Sequence, residues 1–441
     1  MTNENHPLNF KKIFIFWYPL ALTWLMMAVE NPYLASIIAR LPEPKYNLAA
    51  FGVSFSLALI FEAPIIMIMS ASTALVSNKD AFLKLRRFIY TLNIAVTVIF
   101  IVCLIPPVFY YLAETLIRLP HKVAGLTHNA LILLLPWPAA IGYRRFYQGI
   151  LIRNNLTRRV AYGTIVRLTS MSVTAFVLYL FKVPGASVGG ASLSAGVIME
   201  AVASRFMARI PVRNLMAEEP HFKSPDNQLT YRSITKFYYP LALMSLIYLG
   251  IQPLMTFFVG KSRLPLESLA VIPVVNGLVF VFRSLGLSYM EVVVALLGKQ
   301  NIHYKPLRNF AFMLTAIVIG GLSIIAFTPL ALIWFRDISG LSPELTSFSY
   351  LPTQIMSILP GLVMLLALQR GVLVNSKNTS PISWGTTIEV FTMVAVLFIS
   401  IHFMNAIGAV AIAFAYITGA SASNLYLLPS HLKEVRTKTV S

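Results

Sequence analysis

Cysteine and charged residues are both scarce in this sequence of 441 residues. Cys103 is the only cysteine, so the chain can form neither an internal disulfide nor a cysteine-based metal site. Charged residues make up 12% of the chain, whereas hydrophobic residues make up 57%, and the mean hydropathy is +0.74. A soluble core could not bury that much apolar surface, and the longest apolar runs exceed the roughly 20 residues that span a bilayer. The composition therefore excludes a soluble protein and predicts a multi-pass membrane protein.

Acidic residues are outnumbered by basic ones, 16 to 35, which gives a formal net charge of +19. The bases crowd alternate loops: Lys11 and Lys12; Lys79, Lys84, Arg86 and Arg87; Arg153, Arg158 and Arg159; Arg209, Arg213, Lys223, Arg232 and Lys236; Lys299, Lys305 and Arg308; Lys433, Arg436 and Lys438. The positive-inside rule then places both termini in the cytoplasm, with the basic loops beside anionic lipid of the cell membrane. Topology thus accounts for the charge, and we expect no nucleic-acid partner.

Two common signals are absent or incomplete. The first apolar run, 13–39, is too long for the apolar region of a signal peptide, roughly 7–15 residues, so we expect it to stay as the first span. Gly260, Lys261 and Ser262 resemble the end of a phosphate-binding loop, but Met255 stands where its first glycine belongs and no strand precedes it. The sequence predicts neither an ATPase nor another enzyme, and no cofactor or metal.

The chain contains an internal duplication. The sequence FWYPLAL at 16–22 returns as FYYPLAL at 237–243, and GILI at 149–152 returns as GVLV at 371–374. A two-fold repeat in a membrane transporter usually places the working site between the halves. We therefore predict an all-α fold of about twelve membrane helices in two six-helix bundles, related as parallel repeats.

The apolar runs set the expected helices and lobes. They lie at about 13–38, 48–76, 88–112, 126–151, 160–182 and 186–208, and at about 234–259, 268–296, 309–335, 348–373, 382–403 and 405–428. This predicts an N-terminal lobe at 1–210, a cytoplasmic linker at 211–232 and a C-terminal lobe at 233–441. Prolines recur in pairs, 19 with 240, 32 with 253 and 138 with 360, so we expect the lobes to bend at equivalent places.

Charged residues inside the predicted spans are the main functional clue, because an ionised side chain at bilayer depth normally faces a partner or a wet cavity. The acids are Glu30, Glu62, Glu200, Glu291 and Glu389, and the bases are Arg144, Arg145, Arg167, Arg283 and Arg370. The repeat aligns Glu62 with Arg283 and Arg167 with Glu389, so equivalent sites carry opposite charge. The two charges of each pair could meet across the lobes in one conformation, form a static ion pair that holds the lobes together, or each be compensated within its own lobe.

Adjacent Arg144 and Arg145 form the densest positive feature inside a span. Two neighbouring guanidinium groups repel each other, so burying them requires acids or an anionic ligand. Arginine is also suited to binding carboxylate or phosphate through two hydrogen bonds. The pair therefore indicates either an anion site or a structural contact with Glu200 or Glu30.

Several segments together resemble the progressive ankylosis (ANK) transporter family. They are LAAFGVSFSL at 48–57, LVSNKD at 75–80, Glu30 followed by Asn31, and Gln252-Pro253 with Phe258-Val259. The family belongs to the multidrug/oligosaccharidyl-lipid/polysaccharide (MOP) superfamily, with the MATE exporters. The resemblance implies a V-shaped pair of bundles whose helices 1, 2, 7 and 8 line a cavity, and export of pyrophosphate, nucleotides or citrate. It also implies coupling to H⁺ or Na⁺, as in MATE relatives.

Our prediction is a secondary transporter, expected to be monomeric, that exports a small organic or phosphorylated anion by alternating access. Arg283, Arg144 and Arg145 would supply charge complementarity to the substrate; Asn31, Gln252 and Asn276 would supply hydrogen bonds; Glu30, Glu62, Arg167 and Glu389 would serve coupling or gating. The alternatives are a MATE-like exporter of cationic drugs, favoured by a cavity with more acids than bases, and a flippase for lipid-linked precursors.

Overall fold

The chain is helical through most of the part that the structure, a computed structural model, describes: residues 8–154, 156–217, 229–376, 378 and 380–439. This part contains twelve helices that are long and apolar enough to cross a membrane. We number them α1 to α12: Phe10–Ile38, Pro44–Glu62, Lys79–Leu104, His121–Arg153, Arg158–Leu180, Gly185–Met207, Tyr231–Gly260, Pro265–Leu296, Tyr304–Phe327, Pro343–Asn375, Ser380–His402 and Gly408–Arg436. The predicted all-α fold with about twelve membrane helices is confirmed, and the protein is a multi-pass integral membrane protein.

Shorter helices connect the spans. They are the α-helices Ile68–Leu75, Pro106–Tyr110, Arg209–Ala217 and Leu330–Leu332, the π-helices Tyr111–Leu116 and Ile333–Ile338, and the 3₁₀-helix Lys299–Asn301. The predicted linker at 211–232 begins inside the helix Arg209–Ala217 and ends at the start of α7. Its centre, 218–228, lies outside the described residues.

Paired prolines set the breaks within the long spans. A proline removes the hydrogen bond to the carbonyl four residues earlier and its ring collides with that carbonyl. The first segment of α1 ends at Ala28, four residues before Pro32, and the first segment of α7 ends at Leu249, four residues before Pro253. The same relation holds in α4, which breaks after Leu134 ahead of Pro138, and in α10, which breaks after Met356 ahead of Pro360. The predicted bends at equivalent places are confirmed for these two proline pairs. The third pair shows no break, because Pro19 and Pro240 lie inside the continuous segments Phe10–Ala28 and Tyr231–Leu249.

The duplication extends to unusual backbone conformations. Pro44 and Pro265 begin α2 and α8, and each follows a residue in the left-handed region, Glu43 with φ 54° and Leu264 with φ 52°. Likewise each π-helix is followed by a left-handed residue, Arg118 or Gly340. A non-glycine residue with positive φ is uncommon. The same left-handed conformation thus recurs at equivalent positions of the two halves. This is evidence for a duplicated fold that is independent of the sequence matches.

Contacts between residues divide the chain into two compact units. We call Leu41–Phe257 unit A, and Met1–Arg40 together with Phe258–Ser441 unit B. In unit B, α1 packs on α8, where Trp17 Nε1 donates to Ser288 Oγ at 2.9 Å, and Ser288 is the residue at which α8 breaks. In unit A, the first part of α7 packs on α3. The lobes at 1–210 and 233–441 stay a prediction.

Candidate functional site

A buried cluster of charged and amide side chains lies inside unit A. It is built by four spans: Glu62 ends α2; Arg144, Arg145 and Gln148 lie on α4; Arg167 lies on α5; Glu200 lies on α6. All except half-buried Arg145 are buried, so the protein removes these groups from water and must satisfy them internally.

Glycine packing brings the helices close enough to form this cluster. A Cβ added at Gly163 on α5 would lie 3.4 Å from Glu200 Cγ, and one added at Gly196 on α6 would lie 3.0 Å from the carbonyl oxygen of Arg167. The absence of side chains at these two positions allows α5 and α6 to approach closely. The short distance in turn brings the Arg167 side chain within reach of Glu200.

Glu200 is the centre of the cluster. Its side chain is 1% exposed, and Oε2 accepts a charge-assisted hydrogen bond from Arg144 Nη1. Oε1 accepts a hydrogen bond from Gln148 Nε2 at 3.0 Å, and Arg167 Nε lies 3.5 Å from Oε2. Arg144 and Gln148 are four residues apart and therefore share one face of α4. A single carboxylate thus compensates two guanidinium groups and one amide.

Arg145 occupies a different position, since it points away from the face that carries Arg144 and Gln148. Its Nη1 lies 3.7 Å from Met69 Sδ, and within the described part of the chain no carboxylate lies within 4.0 Å of it. The acid whose charge acts most strongly on it is Glu62, a buried acid that also interacts electrostatically with Arg144 and Arg167. The cluster therefore contains three guanidinium groups and two carboxylates, and Arg145 has the weakest compensation.

Unit B holds a smaller pair at equivalent positions. Arg370 Nη2 lies 3.0 Å from Glu389 Oε2. Arg370 precedes Gly371 as Gln148 precedes Gly149, and Glu389 is the repeat partner of Arg167. Arg167 and Glu389 therefore each interact with an oppositely charged residue of their own unit, which is one of the arrangements that the sequence left open.

The register of α6 and α12 identifies the counterpart of Glu200. A Cβ added at Gly419 on α12 would lie 2.9 Å from the carbonyl oxygen of Glu389. A Cβ added at Gly196 on α6 would lie similarly close to the carbonyl oxygen of Arg167. Counting four residues onward places Ser423 at the position of Glu200. Ser423 is fully buried, and its Oγ has no hydrogen-bond partner in the described residues.

The other predicted site residues are distributed over both units. Arg283 stacks over the ring of Tyr416, 5.4 Å from its centre, within unit B. Asn276, also in unit B, lines a small apolar cavity formed mainly by residues of α8, α10 and α12. Glu30 and Asn31 begin the second segment of α1 in unit B, whereas Gln252 lies in unit A. Glu62 and Arg283 belong to different units, and their pairing stays a prediction.

Glu200 was expected only as a possible structural partner of one arginine, and that pairing is confirmed for Arg144. The central position of Glu200 and the contact of Gln148 were not predicted. The repeat held a usable signal, because Gln148 and Arg370 occupy equivalent positions, four residues after Arg144 and its counterpart. Polar residues at both copies of one position inside a span indicate a shared interaction site.

Comparison with known proteins gives the fold. No protein-family model and no curated protein sequence matches this chain. Among solved structures, it is similar to an inward-facing multidrug resistance MATE family transporter of the MOP superfamily, with a TM-score of 0.71, 12% identity and coverage of 95% of this chain and 99% of that one. It is also similar to the lipid II flippase MurJ in an inward closed conformation, with a TM-score of 0.70, 14% identity and coverage of 97% and 91%.

A third similar structure is the eukaryotic MATE transporter AtDTX14, with a TM-score of 0.58, 14% identity and coverage of 97% and 99%. The chain has the fold of MOP superfamily transporters. At these identities the likeness concerns the fold, and the resemblance to the ANK family stays a prediction.

Proposed function

We propose that this protein is a secondary transporter that exports a small organic or phosphorylated anion by alternating access. The MOP transporter fold supports the transport part of the proposal. The observation that carries the choice of an anion is the buried cluster of unit A, in which three guanidinium groups face two carboxylates. A buried excess of positive charge is costly unless an anion or water compensates it.

Within this proposal Arg145 binds the substrate and Arg144 holds the cluster together. The Arg144 guanidinium is committed to Glu200, whereas no carboxylate in the described residues lies within 4.0 Å of Arg145. A guanidinium can bind a carboxylate or phosphoryl group through two parallel hydrogen bonds. Arg283, Asn31, Gln252 and Asn276 complete the proposed substrate path, and Glu30 and Glu62 are the proposed coupling or gating acids for H⁺ or Na⁺.

A flippase for a lipid-linked precursor is the second candidate. The comparison structure that supports it is the lipid II flippase, whose TM-score is almost the same as that of the first MATE transporter. A cationic-drug exporter is the third candidate. It has less support, because the buried cluster has more bases than acids.

The proposal is tested by uptake into inverted membrane vesicles that contain the full chain. Labelled pyrophosphate, labelled citrate and ethidium are the probes, and a fluorescent lipid-linked pyrophosphate reports flipping. We expect uptake of pyrophosphate or citrate, and a rise of about 10- to 100-fold in KM for Arg145→Gln, since hydrogen bonds to a charged group contribute about 1.5–3 kcal/mol. Arg158→Gln is the matched control, because Arg158 is exposed.

Each other result assigns a different function. Ethidium uptake without anion uptake would support the drug exporter, and lipid flipping without either would support the flippase. Wild-type anion transport by a folded Arg145→Gln variant would remove Arg145 from the binding site. The exchange Glu62→Arg with Arg283→Glu distinguishes two roles of Arg283. If the two residues form only a structural ion pair, the exchange keeps the pair and anion transport is retained. If Arg283 binds the anion, the exchanged variant folds but does not transport it.

A further inference from the structure

An open groove lies at the surface of unit A, between α3 and the start of α7. It is lined by Arg87, Phe88 and Thr91 of α3 and by Tyr231 of α7, and it has a volume of about 430 Å³. Below it the two helices stay in contact, since Tyr238 of α7 packs edge-on against Phe88 at 5.6 Å. The groove therefore lies directly beside a packed contact between these two spans.

The groove carries positive charge from Arg87, with which no acid of the described residues forms an ion pair. Arg87 is exposed, and in the described residues its side chain forms no hydrogen bond or ion pair. Lys84, one turn earlier on α3, differs because it pairs with Asp80 at 2.8 Å. Arg232 and Lys236 are exposed on the first turns of α7 and add to the positive charge near the groove.

An apolar track continues from the groove along α3. Ile94, Val98 and Ile101 follow Arg87 at spacings of seven, eleven and fourteen residues, which places them on one face of the helix. They are 64%, 52% and 47% exposed, so the described residues leave much of this face uncovered. On α7, Leu243 and Leu246 are similarly exposed. A cationic groove above an apolar track matches the two parts of a phospholipid.

We propose that this groove binds the phosphate of an anionic phospholipid, with the acyl chains lying along α3. The basic loops place this end of α3 and α7 at the cytoplasmic leaflet, where anionic lipids attract lysine and arginine. Tyr231 fits the same position, because tyrosine concentrates at the membrane interface. The aromatic and apolar lining favours a lipid over a free phosphate ion, which would have no use for the track.

The test is photocrosslinking of the full chain in nanodiscs that contain mostly phosphatidylcholine. A diazirine-bearing phosphatidylglycerol is the anionic probe, and the matching phosphatidylcholine is the neutral one. We expect the anionic probe to label peptides from 87–105 and 231–246 preferentially. Arg87→Gln should lower that labelling by about fivefold, Arg87→Lys should keep most of it, and the control Arg158→Gln should leave it unchanged.

The proposal is overturned by any of three results: equal labelling by the two probes, labelling that Arg87→Gln does not reduce, or displacement of the anionic probe by inorganic phosphate. The last result would assign the groove to a free anion. Gel filtration verifies that each variant is folded. Where the neutral variant fails to fold, the comparison of the anionic and neutral probes on the unmodified chain still decides the proposal. The readout does not involve transport, so it is independent of the substrate that the protein carries.

Discussion

Replacing Glu200 by glutamine should be among the most damaging single changes in the membrane region. Glutamine keeps the size of the side chain and can still hydrogen-bond Gln148, but it removes the negative charge that faces Arg144 and Arg167. Both guanidinium groups then stay buried, with only Glu62 left as an acid in the cluster. The change therefore isolates the charge of Glu200 from its packing.

The expected cost follows from the burial of the cluster. Removing one member of a buried ion pair costs about 3–5 kcal/mol, because the remaining charge is left without compensation. The Glu200 side chain is 1% exposed and that of Arg144 7% exposed, so water cannot hydrate the orphaned arginines. We expect Glu200→Gln to lower the free energy of unfolding by about 3–5 kcal/mol.

Glu389→Gln in unit B is the matched control. It is the same substitution, but within the described part of the chain Glu389 pairs with Arg370 alone, and the two side chains are 17% and 21% exposed. Water can partly hydrate the remaining arginine, so we expect a smaller cost of about 1–2 kcal/mol. Chemical denaturation of each purified variant in detergent, followed by circular dichroism, measures both values.

A cost for Glu200→Gln no larger than that for Glu389→Gln would refute the reasoning, because it would mean that the buried arginines do not depend on Glu200. Adding Arg144→Gln to Glu200→Gln provides a second check. It removes one orphaned charge and should recover part of the lost stability. A double variant less stable than the sum of its parts would contradict the proposed pairing.

Two further predictions concern packing and topology. Gly149→Ala should cost about 1–3 kcal/mol in the same unfolding assay, since the new methyl group would lie 2.6 Å from a carbonyl oxygen of the neighbouring helix, whereas Gly320→Ala has no atom within 4 Å and should be tolerated. In a Cys103→Ala background, an impermeant thiol reagent added outside intact cells should label Thr115→Cys and not Ser77→Cys, because the base-rich loop beside Ser77 is expected in the cytoplasm. The opposite labelling pattern would reverse the proposed topology.

The helical architecture was predictable because its causes are local in sequence. Apolar runs of bilayer length specify membrane helices, and a proline can break a helix four residues earlier. The breaks in α1 and α7 lie four residues before Pro32 and Pro253, whereas Pro19 lies inside an unbroken segment of α1, so proline positions narrow the choice of break sites without fixing it. The composition of the two compact units was not predictable in this way. The assignment of α1 to unit B depends on which helix it packs against. An apolar face on a helix does not specify which other helix will cover it.

The candidate site was predictable in its residue types and only partly in its pairing. Arg144 and Arg145 were identified because adjacent charges inside a span require compensation. Which arginine is compensated depends on the direction of each side chain, and a one-residue shift turns a side chain by about 100° around the helix. Only the packing of α4 against α6 decides that Arg144, and not Arg145, reaches Glu200.

The two repeats have diverged in how their buried charges are arranged. In unit B the equivalents of Glu62, Arg145 and Glu200 are Arg283, Ala367 and Ser423, so Arg370 pairs with Glu389 and Arg283 stacks on a tyrosine ring. In unit A one carboxylate compensates two guanidinium groups, and no carboxylate of the described residues lies within 4.0 Å of Arg145. The aligned positions have the same net charge in both units, and the difference is that unit A gathers its charges into one buried cluster. In the proposed function an anionic ligand would compensate Arg145, so the binding site would be asymmetric within a duplicated fold.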